Sequence, residues 1–95
     1  MEFEWDSAKA DANLKKHGVG FAEASTVFGD PLEVTIPDPA HSVGEARFLS
    51  LGLSSANRVL VVAYTERDGR IRIIHAREAA PQECRSYESG TNSKD

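Results

Sequence analysis

The chain is expected to fold as an α+β domain: a small antiparallel sheet with helices packed on one face, in the order β-α-α-β-β-β-β-α. Three observations point there. Arg58–Thr65 is a continuous β-branched and apolar run, as a strand covered on both faces requires. Asp68-Gly69 stands between it and Ile71–Arg77, the spacing of a hairpin whose second strand returns antiparallel. Two segments with helix-terminating signals, ending at Gly18 and at Gly29-Asp30-Pro31, precede the main strands.

In chain order, Phe3 and Trp5 alternate with Glu2, Glu4 and Asp6, which reads as a short strand. Asp6 is placed to cap a helix over about Ser7 to His17 through its side-chain oxygen. Lys15, Lys16 and His17 answer the carbonyl end of that helix and Gly18 supplies its left-handed terminus. Its apolar side is thin, Ala8, Ala10, Ala12 and Leu14. A second helix after Val19-Gly20 carries Phe21, Ala24, Val27 and Phe28 on one side. Leu32–Ile36 alternates like a half-buried strand, and Pro37–Gly44 reads as an irregular loop. Glu45–Leu53 is a further strand, with Glu45, Arg47, Leu49 and Leu51 on one face and Phe48 on the other. In the last strand, strict alternation sets Arg70 and Arg72 on one face and His75 and Arg77 on the other. A short helix over Glu78–Tyr87, with Pro81 near its start, closes a single domain over residues 1–88; residues 89–95 read as a flexible polar tail.

Ninety-five residues suffice for one domain with a thin core. The formal charge of −4 argues against a nucleic-acid partner until its distribution is considered. Between Glu45 and Arg77 six Arg face three acids, Glu45, Glu66 and Asp68, so the sheet half carries +3 and the remainder −7. The lone Cys84 cannot pair internally, and with no secretory or membrane-length apolar segment the expected location is the cytoplasm. His17, His41 and His75 show no metal-ligand spacing, so neither a metal nor another cofactor is expected.

Phe3-Glu4-Trp5-Asp6, Asn13–Val19, Phe21, Ala24 and Phe28–Pro31 resemble the opening of the BrnT family, toxins of type II toxin–antitoxin systems. The likeness continues through Glu45-Ala46-Arg47, Gly52, Val61–Glu66, Ile71–Ile74, Ala76-Arg77, Glu83 and Tyr87, in the family's order. A His stands at position 75 where the family pattern often has Ser. The resemblance implies a RelE-like fold and a ribonuclease that blocks translation. It also implies neutralisation by a BrnA-type antitoxin with a ribbon-helix-helix domain, through which alone DNA would be contacted. A homodimer or a heterotetramer with the antitoxin is the assembly to expect.

Metal-free RNA cleavage needs a base for the 2′-hydroxyl, charge stabilisation at the phosphate and a proton for the departing 5′-oxygen. The catalytic candidates are His17, Glu45, Arg47 and Arg77, since Arg can hold a phosphate by two bonds at once. Lys15, Lys16, Arg72 and Trp5 are RNA-binding candidates, Trp5 as a stacking surface. Structural alternatives stand beside these: Glu45 and Arg47 as members of cross-strand ion pairs, Arg77 as a partner of Glu83 or Glu45, Trp5 as core. Glu83 and Tyr87, four apart on a helix, are expected to support the site, Glu83 by orienting an Arg. A non-catalytic interaction module that keeps the scaffold to bind a protein partner is the competing function.

Overall fold

The structure, a computed structural model, describes residues 1–91. Its elements are β1 (Glu2–Glu4), α1 (Ser7–His17), α2 (Phe21–Ser25), β2 (Val34–Pro37), β3 (Arg47–Leu53), β4 (Val59–Arg67), β5 (Arg70–Glu78) and α3 (Pro81–Thr91), with 3₁₀ turns at Thr26–Gly29 and Pro39–His41. The strands form one sheet in the order β1-β5-β4-β3-β2. This is the expected α+β order, with one difference in direction. β1 pairs parallel to β5, the other neighbours antiparallel, because the chain leaves β1 directly into α1, which packs along β5.

The central hairpin forms where its turn chemistry allows. Asp68 and Gly69 both take positive φ, 52° and 78°, the twist that matches two antiparallel strands. Pairing then runs Thr65 to Arg72 and Tyr64 to Ile73, but beyond these Ala63 faces His75 and Val62 faces Ala76. Ile74 is an extra residue, a β-bulge. It reverses the parity of the strand, so that Ile71, Ile73 and Ala76 all enter the core while Arg70, Arg72, His75 and Arg77 share the opposite face. Strict alternation had divided those four polar residues between two faces; the bulge is why they are united.

One face of the sheet is covered by α1, α2 and the following 3₁₀ turn. Phe21, Ala24 and Val27 bury against Leu60, Val62, Tyr64, Ile71, Ile73 and Ala76, with Phe3, Phe28 and Phe48 at the margin. Gly52 makes this approach possible, since a Cβ there would lie 2.8 Å from Val27 Cγ1. Arg58 ties the layer together: its guanidinium donates to both Glu23 oxygens, to Glu78 and to the Gly18 carbonyl. α3 departs from the expected one-sided arrangement. Glu83 and Ser86 stand with Val34, Ile36, Leu49, Leu51 and Val61 around an apolar cavity on the second face, because Arg77 draws Glu83 there while the Tyr87 hydroxyl donates to Asp30. Anchored at Tyr87, the helix continues to Thr91, past the end expected from composition. The tail expectation otherwise concerns 92–95, outside the described residues.

α1 begins and ends as its sequence indicates, with Asp6 accepting from the Lys9 N–H at 2.9 Å and Gly18 at φ 71°. Its inward residues differ. Leu14 is 53% exposed, whereas Asn13 is buried. Asn13 donates to the Val19 and Ala76 carbonyls at 2.9 and 2.8 Å and accepts from the Ala76 N–H at 3.1 Å. β1 pairs only with Arg70, Ile71 and Arg72, so farther along β5 this amide takes the place of a neighbouring strand. Asn13→Ala would leave three buried backbone groups without partners. The expected loss is about 2–4 kcal/mol of unfolding free energy in urea titration; a change below about 0.5 kcal/mol would show that water replaces the amide.

Candidate functional site

The open face of the sheet carries the chemistry. A groove of about 420 Å³ is lined by Asp38 and His41 from the 3₁₀ turn after β2, Arg47 and Leu49 from β3, Val61 and Ala63 from β4, and Ile74, His75 and Arg77 from β5. Its floor is aliphatic and its walls carry two guanidinium groups, two imidazoles and the Asp38 carboxylate. Of the candidates read from the sequence, Arg47 and Arg77 are therefore brought together, with His17 adjoining through His75. The Nε2 atoms of His17 and His75 lie 3.2 Å apart, their rings edge-to-face with centroids at 4.8 Å. α1 positions His17, one turn after Asn13 fixes the helix to β5.

Arg77 is half-buried and its fork closes on Glu83, Nη1 to Oε1 and Nη2 to Oε2 each at 2.8 Å. Glu83 also accepts from the Ala80 N–H at 2.7 Å, which caps the start of α3. Arg77 beside it, with that N–H, holds the Glu83 carboxyl down at about 2. The support role expected of Glu83 thus has a geometry, one carboxylate orienting the arginine and the helix alike. Arg47 differs, having no hydrogen-bonded carboxylate among the described residues. Its chain is held instead by backbone bonds, its N–H to Ser42 Oγ at 2.9 Å and its carbonyl from the Asp38 N–H at 2.9 Å.

The remaining candidates lie outside the groove. Glu45 grips Arg67, Nε to Oε2 at 2.7 Å and Nη2 to Oε1 at 3.0 Å, and this arginine lowers its pKa. Arg72 shares Glu4 with Arg70 on the same face toward β1. Trp5 sets its ring against Phe21, centroids 6.0 Å apart, on the helix-covered side. Lys16 borders a depression between α1 and β5 with Lys9, Asn13, His17, Ile74 and His75, while Lys15 stays exposed in the last turn of α1.

Three polar residues of the groove lie outside the set of candidates read from the sequence: His75, His41 and Asp38. The doublet Ile73-Ile74 was the available signal for the bulge that turns His75 into the groove. Asp38 and His41, three apart across Pro39, fall in the segment whose composition indicates an irregular loop; their side chains meet at 2.9 Å, Oδ2 to Nδ1. Burial first, then His17, Arg77 and Lys16, push the His75 pKa below its ordinary value. Its imidazole is neutral near pH 7. No group of three His, Cys, Asp or Glu side chains suited to holding a metal ion occurs among the described residues, and no described helix is long and apolar enough to cross a membrane.

The family model described as ribonuclease toxin, BrnT, of type II toxin-antitoxin system matches residues 5–83. The crystal structure of the Brucella abortus ribonuclease toxin BrnT superposes with a TM-score of 0.67 at 22% identity, covering 84% of this chain and 97% of that one. At such identity the likeness is one of fold. The curated proteins give no match.

Folding is linked to the His75 proton. With its pKa below 6.5 in the folded chain, His75 binds a proton more readily when unfolded, so its contribution to stability is full above that pH and drains as pH falls below it. Lowering the pH from about 7.5 to about 5.5 is expected to reduce the urea midpoint, and His75→Gln to shrink that reduction. An equal drop in both proteins would place the linkage elsewhere.

Proposed function

Since the chain belongs to the BrnT family of ribonuclease toxins of type II toxin–antitoxin systems, we propose that its groove cleaves RNA without a metal ion. The observation that carries this reading is the meeting of Arg47, Arg77, His41 and His75 around one cavity large enough for a ligand, within the roughly 300–1,000 Å³ common to binding clefts. A phosphodiester between Arg47 and Arg77 receives hydrogen bonds that strengthen as charge builds on its oxygens. Arg77 arrives oriented by Glu83, and Arg47 supplies a guanidinium uncommitted to any hydrogen-bonded carboxylate among the described residues.

Proton transfer falls to imidazoles. The Asp38 carboxylate accepts from His41 Nδ1–H, which leaves Nε2 with its lone pair free to take the 2′-hydroxyl proton. The 2′-oxygen then attacks phosphorus, the bond to the 5′-oxygen breaks, and that oxygen takes a proton from the His17–His75 pair. A 2′,3′-cyclic phosphate and a 5′-hydroxyl result. Glu45 is a poor base here, since Arg67 stabilises its ionised form and occupies both oxygens. In the cell the consequence is arrest of translation in the cytoplasm, relieved by a BrnA-type ribbon-helix-helix antitoxin that also carries the contact with DNA. Lys15, Lys16 and Arg72, flanking the groove on the α1 and β1 sides, suit the backbone of a longer RNA; Trp5 has no such placement.

Partner-free protein incubated with RNA in EDTA is expected to cut it. Arg47→Ala should slow cleavage by about 10²–10³-fold while leaving the melting temperature in place, because that side chain holds no other element. Undiminished cleavage by Arg47→Ala would remove it from the site. Parent protein that leaves RNA intact yet still binds its antitoxin would favour the non-catalytic module, a reading consistent with the carboxylates that already engage Arg67, Arg70, Arg72 and Arg77.

A further inference from the structure

His75 borders two spaces at once. On the open face it lines the groove with Arg47, Arg77, His41 and Asp38. Toward α1 it lines a separate depression with Lys9, Ala12, Asn13, Lys16 and His17, which the groove does not include. Ile74, the bulged residue, is the other side chain common to both. The imidazole is thus a partition between the groove and the solvent on the α1 side, and its Nε2 is committed to His17 Nε2 across 3.2 Å.

We propose that His75 donates the proton taken by the departing 5′-oxygen and that His17, outside the groove, is the positioning residue that passes a proton to His75 Nε2 as it does so. The proposal rests on the ribonuclease reading above and assigns direction to its acid step. Two ring nitrogens at this distance hold one proton between them: two N–H groups would collide, and two lone pairs would repel. A proton shared in this way leaves Nδ1 as the His75 nitrogen available to a groove ligand.

The step balances as follows from those tautomers. In the reactive form the shared proton is on His17 Nε2, the ring then carrying both its hydrogens, and is donated to the His75 Nε2 lone pair, while His75 carries its own hydrogen on Nδ1. As the P–O5′ bond breaks, Nδ1–H passes to the 5′-oxygen and the His17 Nε2–H passes to His75 Nε2. Both rings end neutral, and the proton lost by the 2′-hydroxyl resides on His41. A proton from the groove then arrives at His75 Nδ1 as the His75 Nε2–H passes back to His17 Nε2, and His41 gives up its proton to solvent, which restores the starting tautomers.

The surroundings favour this direction. His75 is faced by His17, Lys16 and Lys9 from α1, by Arg77 along β5, by Arg47 from β3 and by His41 from the turn, with Asp38 the single carboxylate lining either space. Burial, with His17, Arg77 and Lys16, disfavours a standing charge on His75, so it works as a relay and not as a stored cation. His17, at the carbonyl end of α1, sits where a helix stabilises positive charge.

The test uses an RNA oligonucleotide that the protein cleaves once and the same RNA with sulfur in place of the bridging 5′-oxygen at that bond. A thiolate leaves without a proton, so it dispenses with the donor. On the oxygen substrate His75→Ala and His17→Gln are expected to be slower than the parent by about 10²–10⁴-fold and about 10–10²-fold, with the descending high-pH limb of the parent profile lost in His17→Gln. On the sulfur substrate both are expected within about tenfold of the parent, whereas Arg47→Ala stays slow. Equal impairment of the histidine variants on both substrates would overturn the relay while leaving the ribonuclease reading intact. Failure of the parent to cut the oxygen substrate would overturn that reading first, and the relay with it.

Discussion

One extra residue in β5 decides what this protein presents to its surroundings. Without the bulge at Ile74, a strand that buries Ile71 and Ile73 would send His75 and Arg77 inward after them, and only Arg70 and Arg72 of the four polar residues would stand on the open face. With it, the same nine residues supply both the core and the groove. A one-residue change of register exchanges the faces of everything that follows, and here the exchange occurs inside a single strand. Asn13 complements the irregularity. Where β1 stops, its amide satisfies the Ala76 peptide and brings His17 against His75.

The electrostatics of the sheet follow from the same arrangement. The chain is acidic overall, yet its open face gathers arginines, most of them answered by a carboxylate: Glu4 for Arg70 and Arg72, Glu45 for Arg67, Glu83 for Arg77. These pairs are partly exposed, and what they contribute is orientation more than stability. Arg77 held by Glu83 faces the groove with little freedom left to lose. Arg47 is the exception, with no hydrogen-bonded carboxylate among the described residues. Net charge is therefore a weak guide to this protein's partner, because paired acids cancel in the sum without occupying the groove.

Much of the fold and part of the site could be read directly. The Asp68-Gly69 turn, the apolar run of β4, the Asp6 and Gly18 ends of α1 and the Phe21, Ala24, Val27 stripe are local signals, and each became the element it indicated. The likeness to BrnT toxins was legible too, since it rests on an ordered set of short motifs. Arg47 and Arg77 were legible as candidates because a guanidinium fork suits a phosphate, and both line the groove. Glu45 seemed their equal and is held elsewhere, since Arg67 lies directly within its reach across the hairpin. Leu14 looked like core and Asn13 did not, because the value of a buried amide depends on an unpaired strand edge that no neighbouring residue in the chain discloses.

By itself the amino-acid order determined which segments are strands and helices, where they turn, and which family they compose, because those properties depend on periodicity, capping and local backbone freedom. The tertiary structure alone decided which side chains face one another. His17 and His75 are 58 positions apart, and Asp38, Arg47 and Arg77 come from three separate segments. Their meeting depends on a register shift and on a helix docked against an unfinished strand edge, and both are settled only when non-local pairing and packing are satisfied together.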